Sequence, residues 1–437
     1  MPPAGGNSII NGGAIAAAGT DMQEKAGIKD NADLLYSDIL KAGGGLAHKE
    51  LARRIADESV SNYKWLRDEV GVKFKAVTYH GGHSVPRSHA VMENTGAGFI
   101  NPMLAKCKEF GIKIQLRTIV DDLIVNDKGC VVGVKARVNH RFNRPESGKV
   151  VYIRATKGVL IASGGFSQNV KMRTSHDPRL TDAFGSTNHP GATGEVLQNM
   201  LAIGALPIQL DQIQLGPWSS PDERGFGLVS QFNTIAGFPK GIMVDKRTGR
   251  RFVNELADRK ARSDAILKQL DENGKPVYPI CFTDSVGVKQ AQTLKNGLKY
   301  GVIKKFNTLG ELADAYGIPK EALIKQVEEF NAYVREGKDK QFDRPLALAI
   351  EIKKAPFYAA RVWPKVHYCM GGVGITKNAE VLNVSTQKPI PGLYAAGEVT
   401  GGTHGASRLG GCAIADGLVT GRVAGDAVVA NTPVNLE

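Results

Sequence analysis

The stretch Gly392–Gly425, GLYAAGEVTGGTHGASRLGGCAIADGLVTGRVAG, decides the fold. It opens as a short apolar strand, GLYAA, which breaks at Gly397 and leaves the carboxylate of Glu398 at the strand's carboxyl end. In open α/β sheets that end faces a ligand crevice. Gly401, Gly402, Gly410 and Gly411 then surround one arginine, Arg408, before a helix begins near Ala413. Glycines clustered in this way let a backbone approach a ligand closely or take positive φ. Strand, glycine loop and helix in that order predict an α/β domain with a crevice above its strand ends.

Working outward, a second apolar strand runs into a glycine turn at GVLIASGGF (158–166). Upstream of it, LIV, Asn126-Asp127-Lys128-Gly129 and VVGVKA read as a hairpin, followed by a polar insertion, HRFNRPESGK. Alternation of Ile112, Ile114 and Leu116 predicts a strand. Apolar residues at Leu51, Ile55, Ala56, Val60, Tyr63 and Leu66 predict an amphipathic helix over 49–66. The first twenty residues, rich in glycine and alanine, read as a loop rather than a strand. From about Asp211 to His367 the glycine clusters thin out and helices with charged outer faces appear, such as the stripe Leu323, Val327, Phe330 and Val334. The expected organisation is one domain from 1–210 and 370–437, with a second domain, 211–369, inserted into it.

At 437 residues, the chain is long enough for two domains with substantial cores. Its net charge of +13 comes from 56 basic and 43 acidic residues that are dispersed, with no basic–aromatic run. That pattern argues against nucleic-acid binding and suits attraction of small anions to a cleft. Five separated cysteines with no CxxC or CxxCH argue against a disulfide framework, a zinc site and an attached c-type haem within this chain, so no metal is expected. No apolar run approaches a membrane span and no export signal is visible. The chain as written therefore reads as cytoplasmic, and as periplasmic if an upstream signal is missing.

The C-terminal segment also suggests the ligand. A carboxylate at Glu398 can accept hydrogen bonds from ribose hydroxyls. The free amides and positive end of the following helix suit the electron-rich pyrimidine edge of a flavin.

With these residues go GGN at Gly5–Asn7 with Gly12-Gly13, Arg87-Ser-His89, TNHPGATG (187–194), RRFVNELADR (250–259), GKDKQFDRP (337–345) and VHYCMGG (366–372). In this order and spacing the chain resembles the soluble fumarate reductase flavoproteins, including the flavin domains of flavocytochromes c and urocanate reductases. The resemblance implies an α/β fold: a Rossmann-like FAD-binding domain with an inserted α+β clamp or capping domain. It implies FAD as cofactor, contacted by Gly6, Asn7, Ser8, Gly13, Val120, Ala162, Gly164, Glu398, Arg408, Ala413 and Ile414; Ala162 and Ile414 suit a core position equally well. The implied chemistry is hydride transfer from flavin N5 to an activated C=C. Arg259 matches the residue that protonates the other carbon, and Arg408 the one that clamps a substrate carboxylate. An arginine does not deprotonate in bulk solution, so Arg259 would pass its proton only as a carbanion develops, with rapid re-protonation through a relay. His367 and Tyr368 complete the catalytic candidates. The expected partners are a small unsaturated carboxylate and an electron donor of one of three kinds, a haem or cytochrome domain, an FMN domain or an NADH-linked protein.

Three departures from the family's pattern alter the expected substrate. Where fumarate reductases carry two consecutive histidines before Met-Gly-Gly, this chain has His367-Tyr368. Where they have a histidine before proline, in a motif like AHPT, it has Leu215-Gly216-Pro217-Trp218. The stretch 229–241, corresponding to the family's proton relay, holds no acid and no arginine. One carboxylate clamp survives and the other is gone, which points to a 2-enoate with a single carboxylate, of the acrylate or aryl-acrylate kind. The family begins with a strand–GxGxxG–helix–strand unit that grips the ADP of FAD, and the sequence opens just after that unit would end. The first βαβ unit is therefore expected to be missing. Two alternatives stand beside enoate reduction: a flavin dehydrogenase of the ketosteroid type, and a non-catalytic truncated remnant unable to hold FAD.

Overall fold

The computed structural model describes residues 4–431. The chain forms two compact units. The larger comprises the chain up to Thr181, Asn188–Gln214 and Tyr368 onward, and the smaller comprises Asp182–Thr187 and Leu215–His367.

In the larger unit the strand Pro389–Ala395 lies between Val159–Ile161, to which it is parallel, and antiparallel Glu380–Leu382. Parallel pairing places the ends of GLYAA and GVLIA side by side, with Leu393 opposite Val159 and Ala395 opposite Ile161. Leu393, Ala395, Ile161, Phe166, Val373 and Val399 share one buried core, which closes the underside of both glycine turns. The carboxyl ends of the two strands then open in the same direction. The helix Cys412–Ala430 follows from the loop at Gly411, whose φ of 77° favours glycine.

A second core packs that helix, through Leu409, Cys412, Ala415 and Val419, with the helices Ala32–Ala42 and Lys49–Trp65. The stripe read from the sequence is real: Leu51, Ile55, Ala56 and Tyr63 are buried along one face of Lys49–Trp65, which continues as a π turn, Leu66–Val70. The hairpin is also present, as Thr118–Val125 against Val131–Val138, and Lys149–Arg154 extends it.

Two expectations are corrected. The opening segment is not simply a loop: Gly6–Ile10 is a short helix, and Ala14–Ala16 is a strand paired with Ser88–Val91. Residues 1–3 of that segment lie outside the described residues. The alternation at Ile112, Ile114 and Leu116 yields no strand, because the segment has no ladder partner among the described residues and all three side chains are exposed.

The smaller unit holds a four-stranded antiparallel sheet in the order Ile242–Val244, Ile280–Thr283, Phe357–Arg361, Lys304–Phe306. Its core joins Ile242, Ile280 and Phe282 of the sheet to Leu323, Val327 and Phe330 of the helix Lys320–Glu336. Two of the motif segments meet in a fully buried ion network. Arg251 contacts Glu255 at 2.6 Å and Asp339 at 2.9 Å, and Arg344 contacts Glu255 at 3.1 Å. Pairing at this depth satisfies charges that would otherwise be costly to bury. Among the described residues, no helix is long and apolar enough to cross a membrane. Nor, among those described residues, do three or more His, Cys, Asp or Glu side chains gather to hold a metal ion.

Candidate active site

The larger unit contains a cavity of about 990 Å³, at the upper end of the range for small-molecule and cofactor sites. Its wall is formed by Gly6, Asn7 and Ser8, by Ala162 and Gly164 after the strand Val159–Ile161, by Glu398, and by Ile414, Gly417 and Gly421 of the long helix. A Cβ added at Gly6, Gly164, Gly417 or Gly421 would meet nothing within 4 Å. Gly417 and Gly421 lie one turn apart, so the helix presents bare backbone to the cavity. Such a cradle suits a long, flat, polar ligand whose contacts are made largely to the main chain.

Glu398 is a half-buried ionisable group of this wall. The N–H of Cys369 donates to its Oε1 at 2.9 Å. Burial pushes the carboxyl up to about 7, against the opposing pull of that N–H, of Arg408 and of the Asn7 side chain. Near neutral pH the group is thus divided between a charged acceptor and a neutral carboxyl that can also donate. Asn7 Oδ1 accepts from the N–H of His189 at 2.7 Å, tying the opening segment to the TNHPGATG turn.

The remaining cofactor candidates lie off this wall. Gly13 has a φ of 67°, and a Cβ there would come within 2.6 Å of the Thr95 backbone, so its glycine serves a tight packing contact. Val120 sits half-buried in the strand Thr118–Val125, while its neighbours Thr118 and Ile119 reach the cavity. Ala413 is in the first turn of the long helix, where Ile414 but not Ala413 lines the wall. The sequence reading missed Gly417 and Gly421, although their spacing of four in GLVTGRVAG carries the signal. It also missed Arg117, His140 and Arg141, which line the wall from the hairpin.

Arg408 is buried elsewhere in the same unit, with its guanidinium carbon 4.3 Å over the ring of Tyr368. One nitrogen donates to the Leu409 carbonyl at 3.0 Å, and Nε has no partner among the described residues. No carboxylate among those residues forms a salt bridge with it. Burial lowers its pKa and raises that of the Tyr368 phenol well above the ordinary value. Tyr368 therefore stays neutral. A buried guanidinium over an aromatic face, with no salt bridge to a described carboxylate, has donors of the geometry that binds a carboxylate in bidentate fashion.

Arg259, His367 and Trp218 belong to the smaller unit. Asp258 caps the helix Arg259–Leu267 by accepting from the N–H groups of Lys260 and Ala261, which fixes Arg259 at its first position. The Arg259 guanidinium carbon lies 4.6 Å over the indole of Trp218. His367 meets the same indole edge-on, 5.0 Å between centroids at 84°, and its Nδ1 lies 2.7 Å from Thr187 Oγ1. Trp218 is buried, and its Nε1 has no partner among the described residues. A Cβ on Gly216 would lie 3.3 Å from the indole and 3.5 Å from the Cβ of His367. Glycine at 216 thus leaves room for the tryptophan ring. The stretch 229–241 is largely helical, as Gly227–Phe232, a π turn and Phe238–Lys240.

The model of the family described as FAD binding domain matches residues 1–414. The acrylate reductase flavoprotein subunit of Shewanella woodyi is 46% identical over 421 residues, covering 96% of this chain and 83% of that protein. A probable fumarate reductase of Shewanella frigidimarina is 34% identical over 427 residues, covering 97% and 69%. The open conformation of a flavocytochrome c3 fumarate reductase superposes with a TM-score of 0.74 at 34% identity, covering 98% of this chain and 72% of that one.

Proposed function

The chain belongs to the FAD binding domain family, among the fumarate reductase-like flavoproteins, and from that premise we propose that it is an FAD-dependent reductase of 2-enoates bearing one carboxylate. The observation that carries the choice of substrate is the pair Gly216 and Trp218. An indole fills the space over Gly216, at the position where the family motif offers a histidine to a second carboxylate. The similarity to an acrylate reductase subunit supports the same substrate class.

The cradle of Gly6, Gly164, Gly417 and Gly421, with Glu398 and Asn7 as its polar groups, fits the flavin dinucleotide. When bound, FAD supplies a hydride to the β-carbon of the enoate. Arg408 holds the single carboxylate, and Tyr368 presents its ring to that guanidinium. Withdrawing charge towards Arg408 polarises the double bond for hydride acceptance. Arg259 passes a proton to the α-carbon as charge develops there and takes one back from solvent in the same event, so that it ends charged, and the product is the saturated carboxylate. Trp218 and His367 hold the guanidinium-bearing region in place. Electrons for the reaction would come from a haem or cytochrome domain, an FMN domain or an NADH-linked protein.

The test is to purify the chain, add FAD, remove the excess and record the flavin spectrum. The bound flavin is then reduced anaerobically and acrylate is added. Stoichiometric flavin with rapid reoxidation by acrylate is expected, and Arg408→Met should raise KM for acrylate. A chain that retains no flavin, or a reduced flavin that acrylate leaves unoxidised, would overturn the assignment.

A further inference from the structure

The polar insertion between the hairpin's second and third strands is not used by the chemistry above, yet it forms part of the cavity wall. Arg117 directly precedes the strand Thr118–Val125, and His140 follows Val131–Val138. Because Thr118 pairs with Val138, the two ends meet: the N–H of His140 donates to the Arg117 carbonyl at 2.8 Å. Arg117, His140, Arg141 and Phe142 all line the cavity that holds the glycine cradle.

The insertion is tied down rather than loose. Ser147 Oγ accepts from the N–H of Arg141 at 2.7 Å and donates to the Arg144 carbonyl at 2.6 Å. Arg137, paired with Asp121 at 2.8 Å, also donates to the Pro145 carbonyl from beneath. Arg117 and Arg141 are exposed, and neither forms a salt bridge with any described residue. Two guanidinium groups outside any salt bridge among the described residues, and an exposed phenylalanine, therefore border the cavity that Glu195 and Glu398 also line. Guanidinium groups bind phosphate oxygens in bidentate fashion, and aromatic faces accept a stacked base.

We propose, on the premise that FAD fills this cavity, that Arg117 and Arg141 form an anion-binding wall for the adenosine-diphosphate arm of the cofactor, with Phe142 as the face against which its base rests. Assigned to the adenosine-diphosphate arm alone, these residues should leave riboflavin binding intact when they are lost.

The experiment titrates the full chain and its Arg117→Ala/Arg141→Ala variant with FAD, ADP and riboflavin, following flavin fluorescence or, for ADP, heat. The variant should bind FAD and ADP at least about tenfold more weakly, with riboflavin affinity unchanged and a weaker dependence of FAD affinity on salt. Arg117→Lys/Arg141→Lys should recover part of the FAD affinity. Since both side chains are exposed, thermal unfolding of the apo-protein should be the same for all three chains. Equal FAD affinity in variant and wild type overturns this inference and leaves the flavin assignment standing. A proportional loss of riboflavin binding overturns it as well, because the residues would then act on the whole cavity. A wild-type chain that binds no flavin overturns the flavin assignment, and this inference with it.

Discussion

The guanidinium carbon of Arg259 lies over the indole of Trp218, 4.6 Å from its centroid. The same indole covers Gly216 and meets His367 edge-on. One side chain therefore both takes up the volume beside position 216 and packs against the proposed proton donor. Buried cation–π contacts are worth up to about 2 kcal/mol.

Trp218→Ala should lower kcat for acrylate about tenfold through loss of that contact. Trp218→Phe keeps an aromatic face and should retain most of the rate. Steady-state assays with a dye electron donor give both values. An alanine variant with wild-type kcat would show that Arg259 needs no such support.

Gly216→His alone places a side chain against the indole, since even a Cβ lies 3.3 Å from it. That variant should lose activity with every acceptor. Gly216→His/Trp218→Thr removes the ring and supplies an imidazole, and should raise kcat/KM for fumarate at least about tenfold over wild type. If the double variant gains nothing with fumarate, another residue sets the selectivity.

Glu398 gives a pH signature. Its folded-state carboxyl is raised from the ordinary 4.5 to about 7, so between those values the folded apo-protein binds more protons than the unfolded chain. Its contribution is fully present below pH 4.5 and is lost as pH rises through 7. Glu398→Gln carries no such proton. The stability of wild type relative to Glu398→Gln should fall by on the order of 3 kcal/mol across that window. Denaturant unfolding of both apo-proteins at pH 5, 6, 7 and 8 measures the difference (about one unit of spacing resolves a single titration). A constant difference would place the carboxyl at its ordinary value.

Arg87 makes a structural counterpart. It is fully buried, 2.9 Å from Asp30 and 3.1 Å from Asp38. Arg87→Leu leaves two buried carboxylates uncompensated and should cost about 3–5 kcal/mol. Urea unfolding tests this, and a loss below about 1 kcal/mol would mean that water reaches the pair.

The sequence was legible where local pattern and tertiary packing agree. The stripe from Leu51 to Tyr63 faces a core, and GLYAA and GVLIA lie side by side because each is apolar and ends in a glycine turn. Ile112, Ile114 and Leu116 carry the same kind of local signal, but alternation makes a strand only where a ladder partner exists, and they remain exposed. Ala14–Ala16 shows the converse: a composition that reads as loop becomes a strand because Ser88–Val91 lies beside it. At the candidate site, Gly6 and Gly164 of the glycine clusters line the cavity, whereas Gly401, Gly402, Gly410 and Gly411 do not, and Gly417 and Gly421 went unread. The stacking of Arg259 on Trp218, forty-one positions apart in the sequence, and the meeting of Arg117 with His140 depend on register and backbone path, which no local spacing records.

Substrate choice is the central claim, and competition between acceptors tests it most directly. The flavin of the reconstituted chain is reduced anaerobically, and its reoxidation is followed by stopped flow with acrylate, cinnamate and fumarate at equal concentrations. Faster reoxidation by a monocarboxylate than by fumarate, by at least about tenfold, is the predicted result. Reoxidation by fumarate at an equal or greater rate would contradict the account, because it would mean that a second carboxylate finds a partner despite the tryptophan over Gly216.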